Sequence, residues 1–105
     1  MNSFIGLDSE QSNGIKQVLS EFTAVERALL FGSRAKGNFK NGSDIDLALT
    51  GKQLTFNDKL DISLMLEEKT FPYKIDLVLF ESIKNPDLIE HINRVGIEIY
   101  SSVSA

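Results

Sequence analysis

Apolar residues follow helical spacing in three segments of the chain, and each segment begins with residues that cap helices. The capping positions are Asp8 or Ser9 in the first segment, Thr55 with Asp58 in the second, and Asn85 before Pro86 in the third. The apolar positions that share a stripe are Ile15, Val18, Leu19 and Phe22 in the first, Phe56, Leu60 and Leu64 in the second, and Leu88, Ile89, Ile92 and Val95 in the third. The pattern predicts three helices, of which the second reaches about Lys69 and the third ends at Gly96.

Shorter runs rich in branched and aliphatic residues lie between these helices and predict strands. They cover residues 25–31, 44–50, 74–80 and 97–100. Residues 33–36 predict a short helical turn that Gly37 ends, and a polar, glycine-rich loop leads to the second strand. Strands that alternate with helices indicate an α/β or α+β domain built around one sheet. We place this domain at residues 1–100 and expect residues 101–105 to be a flexible C-terminal tail.

The composition limits what such a domain can bind. The 105 residues suffice for one domain with a modest core, and 42% of them are hydrophobic and 25% charged, as in ordinary globular proteins. The sequence has no cysteine and one histidine, which excludes disulfides and metal sites built from cysteine or several histidines. Any metal ion would therefore be held by oxygen ligands.

Charge and hydropathy narrow the range of partners. The formal net charge is −4, which argues against broad binding to nucleic acid, although Arg34, Lys36 and Lys40 cluster in one segment. The N-terminal segment lacks the basic and apolar regions of a signal peptide, and no apolar run has the roughly 20 residues that a membrane span needs. These patterns predict a cytoplasmic protein with neither a membrane nor a direct nucleic-acid partner.

Two aspartates interrupt the predicted second strand. Asp44 and Asp46 are separated by one residue, so in a strand both side chains point from the same face. Asp76 repeats the pattern in the third strand, and if the two strands are neighbours, the three carboxylates converge. Such close anions repel one another unless cations neutralise them, and Mg²⁺ is the hard cation that suits oxygen ligands. The alternative is that these acids face water from an edge strand, but their triple arrangement favours a metal site.

Gly32 and Ser33 lie where the first strand passes into the short helical turn. Free backbone N–H groups and a serine hydroxyl at such a point can hold a phosphate, and Arg34 could add a cationic contact. The alternative is an ordinary turn in which Ser33 caps the helix. The segment is not a Walker A loop, because Asn38 stands where lysine is required, and the residues after Asp44 do not fit an EF-hand.

The single histidine, His91, lies on the third predicted helix among polar neighbours. A lone histidine in such a position is most often solvated or structural. We therefore assign it no catalytic role.

Gly32–Ser33, ten intervening residues and Asp44–Ile45–Asp46 together resemble the GSx10DxD signature of polymerase-β-like nucleotidyltransferases. The two ends of this signature reinforce each other, so it is more specific than a lone DxD. The chain resembles in particular the small prokaryotic minimal nucleotidyltransferases, over most of its length. The resemblance implies a polymerase-β-like fold, a small mixed β-sheet flanked by helices.

The resemblance also implies a mechanism with assigned residues. In this family two Mg²⁺ ions bridge carboxylates and a nucleoside triphosphate, here expected to be ATP. Asp44 and Asp46 would be the shared metal ligands, and Asp76 would hold the ion on the side of the nucleophile. The residues that bind the β- and γ-phosphates would be Gly32, Ser33 and Arg34.

The resemblance finally implies a partner protein. Few residues follow Asp76, so we expect the acceptor site to come from another chain. Minimal nucleotidyltransferases resemble one half of a gene pair whose other half is an all-helical HEPN-type protein, in some pairs a toxin that is neutralised when AMP is added to a tyrosine. Two alternatives stay open: nucleotidyl transfer to a small molecule with a separate substrate-binding subunit, and a non-catalytic antitoxin that only covers its partner.

Overall fold

The computed structural model describes residues 9–32, 44–69 and 74–102. The helices are α1 (Ser9–Ser20), α2 (Phe56–Glu67) and α3 (Pro86–Val95). The strands are β1 (Arg27–Phe31), β2 (Ile45–Thr50), β3 (Ile75–Leu79) and β4 (Ile97–Ser101). A 3-10 turn covers Phe80–Ser82. No helix in these ranges has the length and hydropathy of a membrane-spanning segment. The turn predicted at residues 33–36 lies outside the described residues.

The four strands form one sheet in the order β3-β2-β1-β4. β1 is antiparallel to β2 and to β4, whereas β2 and β3 are parallel, so the sheet is mixed as expected. A parallel pair needs a crossover connection, and α2 lies in the connection between β2 and β3. The register places Asp46 beside Asp76 on one side and beside Phe31 on the other.

Alternating side chains give the sheet two buried faces. The larger buried cluster joins α1 and α2 to the strands and includes Ile15, Leu19, Leu30, Leu47 and Ile62. The smaller cluster joins α3 to the opposite face and contains Leu29, Phe31, Ala48 and Ile92. Burial on both faces explains why β1 and β2 read as nearly continuous apolar runs. Asp46 is the charged residue that interrupts the apolar run of β2.

Local sequence accounts for the start of two helices. Thr55 Oγ1 accepts the backbone N–H of Asp58 at 3.1 Å, and Asp58 Oδ2 accepts the N–H of Thr55 at 3.1 Å, which is a capping box. The Asn85 side chain accepts the N–H of Asp87 at 2.9 Å, and Pro86 occupies the first helical turn. Both predicted helix starts are confirmed.

Several element boundaries differ from the prediction by one or two residues. β1 begins at Arg27 rather than at residue 25, and β3 ends at Leu79 because the 3-10 turn starts at the next residue. β4 continues to Ser101, and the N–H of Ser102 donates to the backbone oxygen of Glu26 at 2.9 Å. Regular structure therefore runs into the segment that was expected to be a tail.

The apolar stripe predicted for α2 faces outward, which corrects the amphipathic interpretation of this helix. Phe56, Leu60 and Leu64 are 60%, 45% and 60% exposed. Ile62 and Leu66 make the buried contacts instead. The helix carries apolar residues on two sides, and the way the crossover docks on the sheet decides which side is buried.

Candidate functional site

The two predicted strand aspartates are neighbours in the sheet. Asp46 on β2 pairs in register with Asp76 on β3, so their Cα atoms are about one strand spacing, roughly 4.8 Å, apart. Both lie on the sheet face that α3 covers, because Ala48 and Val78, two residues further along each strand, pack with α3. Both residues are nevertheless partly exposed, so this end of the face can admit a ligand.

Asp44, the third predicted acid, lies two residues before Asp46, just outside β2, and is exposed. Its negative charge raises the pKa of the Asp46 carboxyl. The structure therefore brings all three predicted acids to the same end of the β2–β3 pair.

The environment of Asp46 disfavours its negative charge. Burial raises the pKa of the Asp46 carboxyl above its ordinary value, and the charges of Asp76 and Asp44 raise it further. Lys74 Nζ lies 3.5 Å from Asp76 Oδ1, but the lysine side chain is 73% exposed and is free to move away. A bound cation at this point would relieve the excess of negative charge.

Gly32, at one end of the predicted signature, lies beside Asp46 at the other end. Its φ of +81° lies in the left-handed region that residues with a Cβ rarely adopt. A Cβ added at Gly32 would collide with Asp46 Oδ2 and would lie 3.4 Å from Asp46 Cγ. The Gly32 backbone therefore lies against the Asp46 carboxylate.

His91, to which the sequence assigns no catalytic role, lies beside Gly32 in the structure. Its Nε2 accepts the backbone N–H of Gly32 at 3.4 Å, and its ring meets Phe31 edge to face with centroids 6.1 Å apart. α3 holds His91 there, because the adjacent Ile92 is buried in the cluster beneath that helix. The two hydrogen-bonded residues are 59 positions apart, so no local sequence pattern announces the contact.

Ser33 and Arg34, the other predicted phosphate-binding residues, lie outside the described residues. Their contacts with phosphate stay predictions, as do the metal-binding and catalytic roles of Asp44, Asp46 and Asp76.

The donors at this site fit a hard divalent cation, because they are carboxylate oxygens surrounded by uncompensated negative charge. Across residues 9–32, 44–69 and 74–102, however, no group of three or more acidic, histidine or cysteine side chains is arranged so that it could hold a metal ion. Mg²⁺ usually takes only one or two carboxylates and completes its shell with water and phosphate oxygens. Asp46 with one acidic neighbour and a triphosphate would meet that requirement.

Comparison with known proteins assigns this arrangement to a class of enzymes. The family model described as Polymerase beta, Nucleotidyltransferase matches residues 13–104, and the chain belongs to this family of nucleotidyltransferases. The family resemblance read from the signature is therefore confirmed.

Among individual proteins, the chain is 31% identical over 102 residues to the probable protein adenylyltransferase MntA of Haemophilus influenzae, with 94% of this chain and 89% of that protein covered. Two solved structures share the fold at lower identity. A chain of a toxin–antitoxin crystal structure with AMP-PNP has a TM-score of 0.71 and 22% identity, with 87% of this chain and 73% of that chain covered. A chain of a structure of tri-AMPylated Shewanella oneidensis HEPN toxin in complex with MNT antitoxin has a TM-score of 0.68 and 19% identity, with 91% and 74% covered. The predicted fold class is confirmed.

Proposed function

We propose that this chain transfers AMP from ATP to a hydroxyl group of a protein acceptor in a Mg²⁺-dependent reaction. The observation that carries the proposal is the contact between the left-handed Gly32 backbone and the Asp46 carboxylate, beside Asp76 on the next strand. Family membership supports the reaction class. The name of the MntA relative supports AMP as the transferred group and a protein as the acceptor, and the neighbour with AMP-PNP supports ATP as the donor.

The proposal assigns a role to each predicted residue. Asp44 and Asp46 would hold Mg²⁺ together with the triphosphate, and Asp76 would hold an ion on the side of the acceptor. When bound, Mg²⁺ neutralises the triphosphate and makes the acceptor hydroxyl more acidic. The residues that hold the β- and γ-phosphates would be Gly32, Ser33 and Arg34.

The reaction is an in-line displacement at the α-phosphorus. The acceptor oxygen forms a bond to this phosphorus while the bond to the oxygen bridging the α- and β-phosphates breaks, so AMP remains on the acceptor and pyrophosphate leaves. The hydroxyl proton passes to the Asp76 carboxylate, whose side chain is 42% exposed and can release the proton to water.

The acceptor in this proposal is a tyrosine of an all-helical HEPN-type protein encoded alongside, and the chain acts as its antitoxin. Support comes from the fold neighbour in which an MNT antitoxin is bound to a tri-AMPylated HEPN toxin. An AMP group adds bulk and negative charge to the tyrosine, which can block the partner's own activity. The proposal places the reaction in the cytoplasm, where ATP and Mg²⁺ are available.

The test is transfer of label from ATP labelled at the α-phosphate to the co-encoded helical protein. The wild type and Glu21→Ala, a change at an exposed acid outside α2, should label a tyrosine of the partner, and Asp46→Ala should not. Label in a low-mass product without the partner would show transfer to a small molecule. A neutralised complex without label would show a non-catalytic antitoxin, and either result would refute the proposal.

The metal part of the proposal is tested separately by NMR. Addition of Mg²⁺ and a non-hydrolysable ATP analogue should shift the backbone signals of Asp44, Asp46 and Asp76. Unchanged signals at millimolar concentrations would contradict these ligands.

A further inference from the structure

The outward-facing residues of α2, Phe56, Leu60 and Leu64, form an apolar ridge that we name the α2 stripe. The three residues follow one another at intervals of four, so their side chains line up along one side of the helix. Each keeps close to half or more of its surface exposed. Contiguous apolar surface of this kind on a small protein commonly marks a binding site.

The α2 stripe continues into a groove at the edge of the sheet. The groove has a volume of about 440 Å³ and lies between the start of α2, β3 and the 3-10 turn, and its lining includes Leu54, Phe56, Lys59, Val78, Leu79 and Ile83. β3 is an outer strand of the sheet. Lys59 Nζ lies 5.4 Å from the centroid of the Phe56 ring and helps to hold the ring at the mouth of the groove. Stripe and groove together form one apolar surface along the β3 edge.

This surface and the candidate site share the strand β3. Val78 of the groove follows Asp76 by two residues on β3, which places the two about 7 Å apart along the strand. Alternation in the strand puts both side chains on the same face of the sheet. A protein seated on the groove would therefore extend to the carboxylate that faces the acceptor.

Charges beside the α2 stripe indicate what kind of partner fits. Asp61, Glu67 and Glu68 are exposed next to the stripe, and none of them takes part in an ion pair among the described residues. A second copy of this chain would bring the same acids together, and the net charge of −4 adds to that repulsion. Because Lys59 is the cation at the Phe56 end, the complementary surface has an apolar ridge flanked by lysine or arginine where it meets Leu60 and Leu64.

We propose that the α2 stripe and its groove dock an amphipathic helix of the acceptor protein, with basic residues beside the apolar ridge of that helix. A straight ridge of side chains four residues apart packs naturally against another helix. Docking on this edge would bring the acceptor hydroxyl to Asp76. The inference rests on the proposed function for the identity of the acceptor, and the geometry of the α2 stripe supplies the docking surface.

The test measures the affinity of the purified chain for the co-encoded helical protein. The double change Leu60→Gln with Leu64→Gln removes apolar surface without changing charge or helix propensity, and it should weaken binding by about tenfold or more. Lys16→Gln on the exposed side of α1 is the matched control and should bind as the wild type. Reversing the acids with Asp61→Lys and Glu67→Lys should weaken binding at low salt, and Glu21→Lys should not. All variants should keep the wild-type melting temperature and affinity for Mg²⁺–ATP.

The outcomes separate this inference from the proposed function. If the stripe variants bind and label the partner as the wild type does, docking on α2 is wrong while AMP transfer stands. If the wild type binds through the stripe but never labels the partner, the docking surface stands and AMP transfer is wrong. A wild type that does not bind the partner, or that dimerises through Leu60 and Leu64 in sedimentation equilibrium, would overturn the docking inference.

Discussion

Replacing Asp46 with asparagine should make the protein more stable and inactive at the same time. Asp46 lies in a strand that is otherwise buried on both faces, and burial together with Asp76 and Asp44 raises the pKa of its carboxyl. The ionised group therefore destabilises the ligand-free fold at pH 7. Asparagine keeps the shape and removes the charge, so the fold should gain stability while the site loses a proposed metal ligand.

The size of the gain follows from the register of Asp46 and Asp76. Charges about 5 Å apart repel by about 3 kcal/mol at an effective dielectric constant of about 20. The Asp76 side chain is 42% exposed and lies 3.5 Å from Lys74 Nζ, which screens most of this repulsion. We expect Asp46→Asn to raise the free energy of unfolding by about 1 kcal/mol, which corresponds to a rise in Tm of roughly 4–8 °C for a domain of this size.

The pH dependence of this gain has a defined sign. A folded-state pKa above the unfolded value of about 3.9 means that the folded protein binds the Asp46 proton more tightly, so wild-type stability falls as the pH rises through that interval. Below the unfolded pKa the carboxyl is protonated in both states and carries no penalty. The advantage of Asp46→Asn should therefore be full above the raised pKa and disappear as the pH falls below about 4.

Urea unfolding at low salt, at pH 7 and at pH 4, measures both effects. Asp61→Asn is the matched control, because Asp61 is exposed and forms no ion pair among the described residues. The free energy of unfolding of this variant should equal that of the wild type. Mg²⁺–ATP should raise the Tm of the wild type and leave that of Asp46→Asn unchanged. An Asp46→Asn protein that is no more stable than the wild type at pH 7 would refute the electrostatic argument.

Three further changes test the surroundings of the site. Gly32→Ala should cost roughly 2 kcal/mol or more of stability and abolish transfer, because the cost of a left-handed backbone adds to the cost of the collision with Asp46. A variant with the wild-type Tm would contradict the contact between Gly32 and Asp46. His91→Phe keeps an aromatic ring but removes the acceptor for the Gly32 N–H, so it should raise KM for ATP by roughly twofold to tenfold with little change in Tm. His91→Gln should restore the wild-type KM. Equal KM values in both variants would exclude a role for this hydrogen bond. Thr55→Ala opens the capping box and should lower the free energy of unfolding by about 1 kcal/mol in chemical unfolding. The protein that stays folded should transfer AMP as the wild type does. A loss of transfer without a loss of stability would contradict a purely structural role for Thr55.

Local signals in the sequence were sufficient for the helix starts and for the order of elements. The capping box at Thr55 and the Asn85–Pro86 pair act on their own backbone, so they can be recognised without knowledge of the fold. The spacing of Asp44 and Asp46 is also visible in the sequence, but in the structure Asp44 lies just outside β2, so strand alternation does not fix its direction. Their convergence with Asp76 needed the further fact that β2 and β3 are parallel neighbours.

Features that depend on tertiary packing could not be predicted in the same way. Both the outward stripe and the buried side of α2 are apolar, and only the docking of the helix on the sheet distinguishes Leu60 from Ile62. The contact of His91 with Gly32 depends on where α3 crosses the sheet, and no spacing within α3 encodes it. Periodicity reports which residues share a side of an element, but it does not report what lies opposite that side.

The parallel pairing of β2 and β3 links the chemistry of this domain to its docking surface. A parallel pair requires a crossover, and α2 fills that crossover on the face opposite α3. The α3 face is thereby free to carry Asp46 and Asp76 at one end of the pair, while the outer side of α2 borders the groove at the other end of β3. The same connection that sets the two acids in register also sets an apolar ridge beside the edge strand. If a partner protein docks on the ridge, the shared strand β3 fixes its position relative to Asp76.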